Sequence, residues 1–114
     1  MPHRPLLHRR GTTRVGIVYL LHFDRPFAHA QHYIGFTEHL DQRCEDHLRG
    51  NGANLVAHVV AAGITIQLAA EWRNVTQVAE YALKNKGGMV RYCPVCSGPR
   101  ARAINLDPYK AWAK

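Results

Sequence analysis

Five side chains in this 114-residue sequence are of types that can grip or cut a phosphodiester: Tyr19, Tyr33, Arg43, His47 and Glu80. A phosphodiester is anionic and slow to hydrolyse. Breaking it takes an activated water, a cation facing the phosphoryl oxygens, and help for the leaving oxygen. Arginine offers a permanent planar donor for phosphate. A carboxylate can hold a divalent ion whose shell is completed by water. A phenol or imidazole can move a proton, although a tyrosine at its ordinary pKa of about 10 must be depressed to act as a base. Each residue also has a plainer reading. Strand tyrosines ordinarily pack with a wet hydroxyl. Arg43 and His47 can form a solvated helix stripe with Asp46 as ion-pair partner, and Glu80 with Lys84 has the favoured i to i+4 order.

The pair Cys93-Pro94-Val95-Cys96 is half of a common zinc site. Cys44 and eight histidines could supply further ligands, but none stands nearby with a knuckle-like spacing, so zinc at Cys93 and Cys96 is disfavoured and stays open. A redox role is disfavoured as well, because the pair does not open a helix after a strand.

The elements that must position these side chains can be read from pattern. The apolar, β-branched and aromatic run that begins at Val15 predicts a buried first strand. Arg25-Pro26 predicts that the chain leaves the sheet between 24 and 30, since proline has no amide hydrogen to donate, and that 31–36 returns as a second strand after a long hairpin loop. Thr37 is a suitable N-cap for a helix over 38–49, with Leu40, Cys44 and Leu48 as its core stripe and Arg43 and His47 beside it. A short helix over 55–62 capped by Asn54, a third strand over 64–72, and a helix capped by Asn74 and stopped by Gly87-Gly88 complete the pattern. The order β, β, α, α, β, α gives an α+β domain, with a small three-stranded antiparallel sheet flanked by helices. That domain is expected over 15–98, between a flexible basic arm at 1–14 and a basic C-terminal tail at 99–114.

The spacing of the five residues resembles that of the GIY-YIG nuclease superfamily, whose signature is two short strand motifs followed by a helix with arginine and a later glutamate. The second motif stands as Tyr33-Ile34-Gly35, and the first as Ile17-Val18-Tyr19, with its tyrosine kept and its glycine replaced. Counted from Tyr33, Arg43 lies at +10, His47 at +14 and Glu80 at +47, spacings similar to those of the excision-repair branch. The resemblance implies that Glu80 binds one Mg²⁺ or Mn²⁺, that Tyr19 serves as general base or positions water, that Tyr33 and His47 orient water or phosphate, and that Arg43 stabilises developing charge. It implies DNA as the substrate. The chain departs from the family pattern in a slightly longer gap between Tyr19 and Tyr33, in Phe36 where some members have lysine, and in lacking an asparagine over 87–98. A non-catalytic nucleic-acid-binding module of the same fold therefore stands as the alternative. A small interaction domain is a third.

Charge is unevenly placed. The net charge is +7, yet residues 15–83 sum to −3 while the two ends together carry +10. Basic ends on a weakly acidic body suit a polyanion partner, because each Lys or Arg that neutralises a phosphate releases a counterion. No apolar run approaches the roughly 18 residues of a membrane helix. The first residues lack the apolar stretch of a secretory signal, and three cysteines do not make a disulfide framework. The expectation is a cytoplasmic protein that does not associate with membranes.

Overall fold

A computed structural model of the protein describes residues 14–111. Three strands, β1 (Val15–Phe27), β2 (Ala30–Thr37) and β3 (Ile66–Thr76), form an antiparallel sheet in the order β2-β1-β3. Helices α1 (Leu40–Leu48) and α2 (Asn54–Ala61) lie between β2 and β3, and α3 (Val78–Lys86) follows. The expected α+β class and the order β-β-α-α-β-α are thus observed.

The central place of β1 explains its unbroken apolar run, since a strand covered on both faces has no solvent side to alternate with. Gly16 to Phe23 are all buried. The odd residues Ile17, Tyr19, Leu21 and Phe23 pack with Leu40, Val56, Val59 and Ile64 on one face. On the other, Val18 and Leu20 pack with Val75, Ala79, Leu83, Met89, Cys93 and Leu106. Each such aliphatic or aromatic side chain contributes roughly 1.5–3 kcal/mol on full burial, which makes β1 the main anchor of both layers.

Several local expectations are corrected. The chain does not leave the sheet at Arg25-Pro26. Strand β1 continues to Phe27, and the turn is only Ala28-His29. The pairing breaks between His22↔His32 and Phe27↔Ala30, so Pro26 lies in an unpaired bulge that asks no amide hydrogen of it. Strand β3 lies later than expected. Leu20 pairs with Ala70 but Leu21 with Leu68, which leaves Ala69 as an extra residue. That bulge changes the parity of the strand, so Ile66 packs on the odd face of β1 and Trp72 on the even face.

Asn74 caps no helix. It sits in β3 with φ +60°, beside the register shift opposite Gly16 and Val18, and its side-chain amide donates to the Ala111 carbonyl at 3.1 Å. Asparagine tolerates the left-handed region better than most residues. Helix α3 begins four residues further on, after Gln77. Thr37 closes β2 instead of capping, and its hydroxyl accepts the His39 N–H at 3.0 Å. Ala53 rather than Asn54 precedes α2. On α1, Leu40 and His47 are buried, whereas Leu48 is 65% exposed.

Gly87 and Gly88, both at positive φ, end α3 as expected. A 3₁₀ turn at Met89–Arg91, a short helix α4 (Pro94–Ser97) and a second 3₁₀ turn at Gly98–Arg100 follow. Part of the segment assigned to the basic tail lies back against the even face. Leu106 is buried, the Trp72 indole N–H donates to the Ile104 carbonyl at 3.3 Å, and Lys110 bridges to Val75. The basic arm, apart from Arg14, lies outside the described residues. Arg14 donates from Nε to Glu38 at 3.1 Å and stacks over the Phe36 ring. Among the described residues no helix is long and apolar enough to cross a membrane.

Candidate active site

Tyr19 sits at the middle of β1, opposite Gly35 of β2, and points to the face covered by α1 and α2. Tyr33 pairs with Leu21 and shares that face. His47, in the last turn of α1, reaches down to meet them. Tyr19 and His47 are almost fully buried, and the Tyr19 hydroxyl lies 2.8 Å from His47 Nε2. The three rings form a nearly equilateral triangle, with centroids 6.2 Å apart for Tyr19–Tyr33, 5.8 Å for Tyr19–His47 and 5.6 Å for Tyr33–His47.

Two glycines make room for this triad. A Cβ on Gly35 would lie 2.4 Å from the Tyr19 hydroxyl. One on Gly52 would lie 2.1 Å from His47 Nδ1. The role of Gly35 follows from its motif, whereas Gly52 reads in the sequence only as part of the turn after α1. Its function there is to leave space for the imidazole edge, whose Nδ1 is buried with no hydrogen-bond partner among the described residues.

Burial sets the protonation of the pair. The Tyr19 phenol is pushed well above its ordinary value, chiefly by loss of solvent and then by the neighbouring Tyr33, with Arg43 pulling it back and Cys44 and Glu80 adding to the rise. The His47 imidazole is held below its usual value, first by burial and then by the Arg43 charge, against a smaller opposing effect of Asp46. The site is therefore a neutral phenol joined to a neutral imidazole. Tyr19 in this environment lacks the depressed pKa that a general base requires.

Arg43 and Glu80 belong to the same electrostatic neighbourhood, since both act on Tyr19, but no side-chain hydrogen bond joins either to the triad among the described residues. Arg43 stands one turn before His47 on α1, half-buried. Glu80 lies in the first turn of α3 with only 7% of its surface exposed. One carboxylate oxygen accepts from Gln77 Nε2 at 3.2 Å, and the other is 3.0 Å from Lys84 Nζ. Both the triad and the Glu80–Lys84 pair of the plainer reading are thus present together. A buried carboxylate with hard oxygen donors suits Mg²⁺ or Mn²⁺. Lys84 is half exposed and would have to swing away to admit the ion.

A second constellation lies on the opposite face of the hairpin, where His22, His32, Cys93 and Cys96 converge. Local spacing does not single out these two of the eight histidines, because they become neighbours only through strand register. Burial and the adjacent His22 lower the His32 pKa. Burial and the Cys93 thiol push Cys96 up to about 11.

Comparisons with protein-family models, with curated proteins and with solved structures find no match for the chain.

Proposed function

We propose that this protein is a metal-dependent endonuclease that hydrolyses DNA phosphodiester bonds, with Tyr19, Tyr33, Arg43 and His47 around the phosphate and a single Mg²⁺ or Mn²⁺ at Glu80. The observation that carries this reading is the buried Tyr19–His47 hydrogen bond at 2.8 Å, held between two glycines whose replacement would displace one partner or the other. The buried Tyr19 hydroxyl takes the imidazole as its partner, and the orphaned His47 Nδ1 is the feature that a purely packing role for the histidine does not account for.

In this mechanism the neutral His47 imidazole is the proton acceptor. Water approaching the phosphate passes its proton to the Tyr19 oxygen while Tyr19 hands its own to His47 Nε2, so the high phenol pKa is no obstacle. Tyr33 walls the Tyr19–His47 pair and orients the incoming group, and Arg43 offsets charge that develops on the phosphoryl oxygens. Glu80 would hold a divalent ion, which would supply Lewis-acid stabilisation of the developing charge. The three free thiols suit the reducing cytoplasm, where we place the protein.

Supercoiled plasmid incubated with the protein should be nicked with Mg²⁺ or Mn²⁺ and left intact with EDTA. Glu80→Ala and Arg43→Ala should each lower nicking by about 10²-fold or more, with the far-ultraviolet circular dichroism unchanged. Full activity in either variant would sink the assignment. The Glu80–Lys84 pair favours a second reading, a non-catalytic DNA-binding module whose metal carboxylate is permanently neutralised. Tight plasmid binding with no metal-dependent nicking would select it.

A further inference from the structure

We propose that His22, His32, Cys93 and Cys96 form a structural zinc site that fixes the register of the β1–β2 hairpin and fastens the segment after α3 to the sheet. One ligand atom from each residue lies within 4.8 Å of every other. The closest approaches are 3.3 Å from Cys96 Sγ to His32 Nε2, 3.5 Å from Cys96 Sγ to His22 Nδ1, and 3.6 Å from Cys93 Sγ to His22 Nδ1. Zn–S bonds of about 2.3 Å and Zn–N bonds of about 2.0–2.1 Å at tetrahedral angles place sulfur and nitrogen about 3.5 Å apart. The three observed separations bracket that value.

Hydrogen bonding alone accounts poorly for the same contacts. His22 Nδ1 offers one lone pair or one N–H and faces two sulfurs, so it can bond only one of them, and the thiol of Cys96 is a weak donor and a weak acceptor toward its two nitrogens. One ion at the centre satisfies all four groups at once. Two thiolates and two neutral imidazoles cancel the charge of Zn²⁺, so the buried site is neutral, and binding releases two protons from the thiols. Tetrahedral S₂N₂ coordination selects zinc among common divalent metals. A Rieske-type cluster uses the same residue types but puts its two imidazoles on one iron and its two thiolates on the other. Sulfur could not then approach nitrogen to 3.3 Å.

The origin of the ligands defines the role. His22 and His32 are direct cross-strand partners, the last pair of the ladder before the Pro26 bulge. Cys93 precedes α4 and Cys96 lies within it, with the Ser97 N–H bonded to the Cys93 carbonyl at 3.0 Å. The ion therefore joins the hairpin to a segment about 70 residues away in sequence. His32 is also the residue before Tyr33, on the opposite face of β2. A slip of one residue would turn Tyr33 away from Tyr19, and it would also remove His32 from the metal. The site thus holds the geometry of the nuclease triad without touching it.

The test does not depend on nuclease activity. Tag-free protein purified without added metal or chelator should contain about one zinc per chain by elemental analysis. Cobalt exchanged into chelated protein should show the strong visible d–d bands and thiolate charge-transfer band of a tetrahedral S₂N₂ centre. In a Cys44→Ser background, Cys93 and Cys96 should resist Ellman's reagent until a strong chelator is added. The His32→Ala and Cys96→Ser variants should each lose the metal. Should these variants fail to fold, the cobalt spectrum and thiol reactivity of the Cys44→Ser protein decide the matter. Protein that takes up no zinc after refolding in its presence, cobalt without a thiolate band, or zinc content undiminished in both variants overturns the proposal.

Discussion

At the scale of single residues, the site depends on what surrounds the Tyr19–His47 bond. Residue types and spacing single out Tyr19, Tyr33, Arg43, His47 and Glu80 as candidates in the sequence, and the structure brings the first two together with His47 and places Arg43 and Glu80 in the same electrostatic neighbourhood. The inward turn of His47 is less legible. A hydrophobic stripe on α1 ranks Leu48 above an imidazole for the core, yet Leu48 is exposed and His47 is almost fully buried. A histidine that displaces a leucine from the buried face indicates that its position serves something other than packing. Gly52 is the matching case for a glycine. Its Cβ position is filled by the His47 ring, not required by a left-handed backbone. Gly52→Ala is therefore compatible with the local fold but not with the imidazole where it stands. We expect a loss on the order of 1–3 kcal/mol in urea unfolding, as for other overpacked sites, together with loss of plasmid nicking. A variant with unchanged stability and nicking would show that His47 moves freely, contrary to a fixed proton acceptor.

At the scale of elements, their order is legible and their boundaries are not. Apolar run, helix stripe and alternating strand each leave a clear periodic trace. Bulges leave none, because an extra residue in a ladder is defined by its partner strand. The bulge at Ala69 changes the face of β3, the one around Asn74 extends that strand past its expected end, and the one containing Pro26 converts an expected long loop into a two-residue turn. The metal ligands belong to the same category. His22 and His32 are ten positions apart in sequence and become neighbours only through the strand register. The turn itself carries a cost. Ala28 sits at φ +54°, where a Cβ crowds the backbone. Ala28→Gly should relieve that strain and stabilise the protein by up to about 1 kcal/mol, glycine's greater freedom in the unfolded chain offsetting part of the gain. A lower urea midpoint in this variant would mean that the turn relaxes away from the left-handed region at no cost.

At the scale of the whole molecule, charge and fold meet in the segment after α3. Composition alone gives that stretch its basic character, and its placement on the even face of the sheet depends on partners no local pattern names, among them Trp72, Val75 and Asn74. Once packed, it turns Arg100 and Arg102 into exposed charges on an ordered surface. A fixed cation beside a phosphate contributes without the ordering cost of a flexible one, so these arginines are the test of whether the basic ends bind DNA backbone. Binding to duplex should weaken steeply with added salt, with a slope of about −0.9 in log K against log salt for each phosphate neutralised. If both arginines reach phosphate, the Arg100→Gln, Arg102→Gln double variant should reduce that slope by about 1.8. It should leave the metal dependence of nicking as it is, because neither residue belongs to the site around Tyr19. An unchanged slope would assign the charge of these two arginines to solubility.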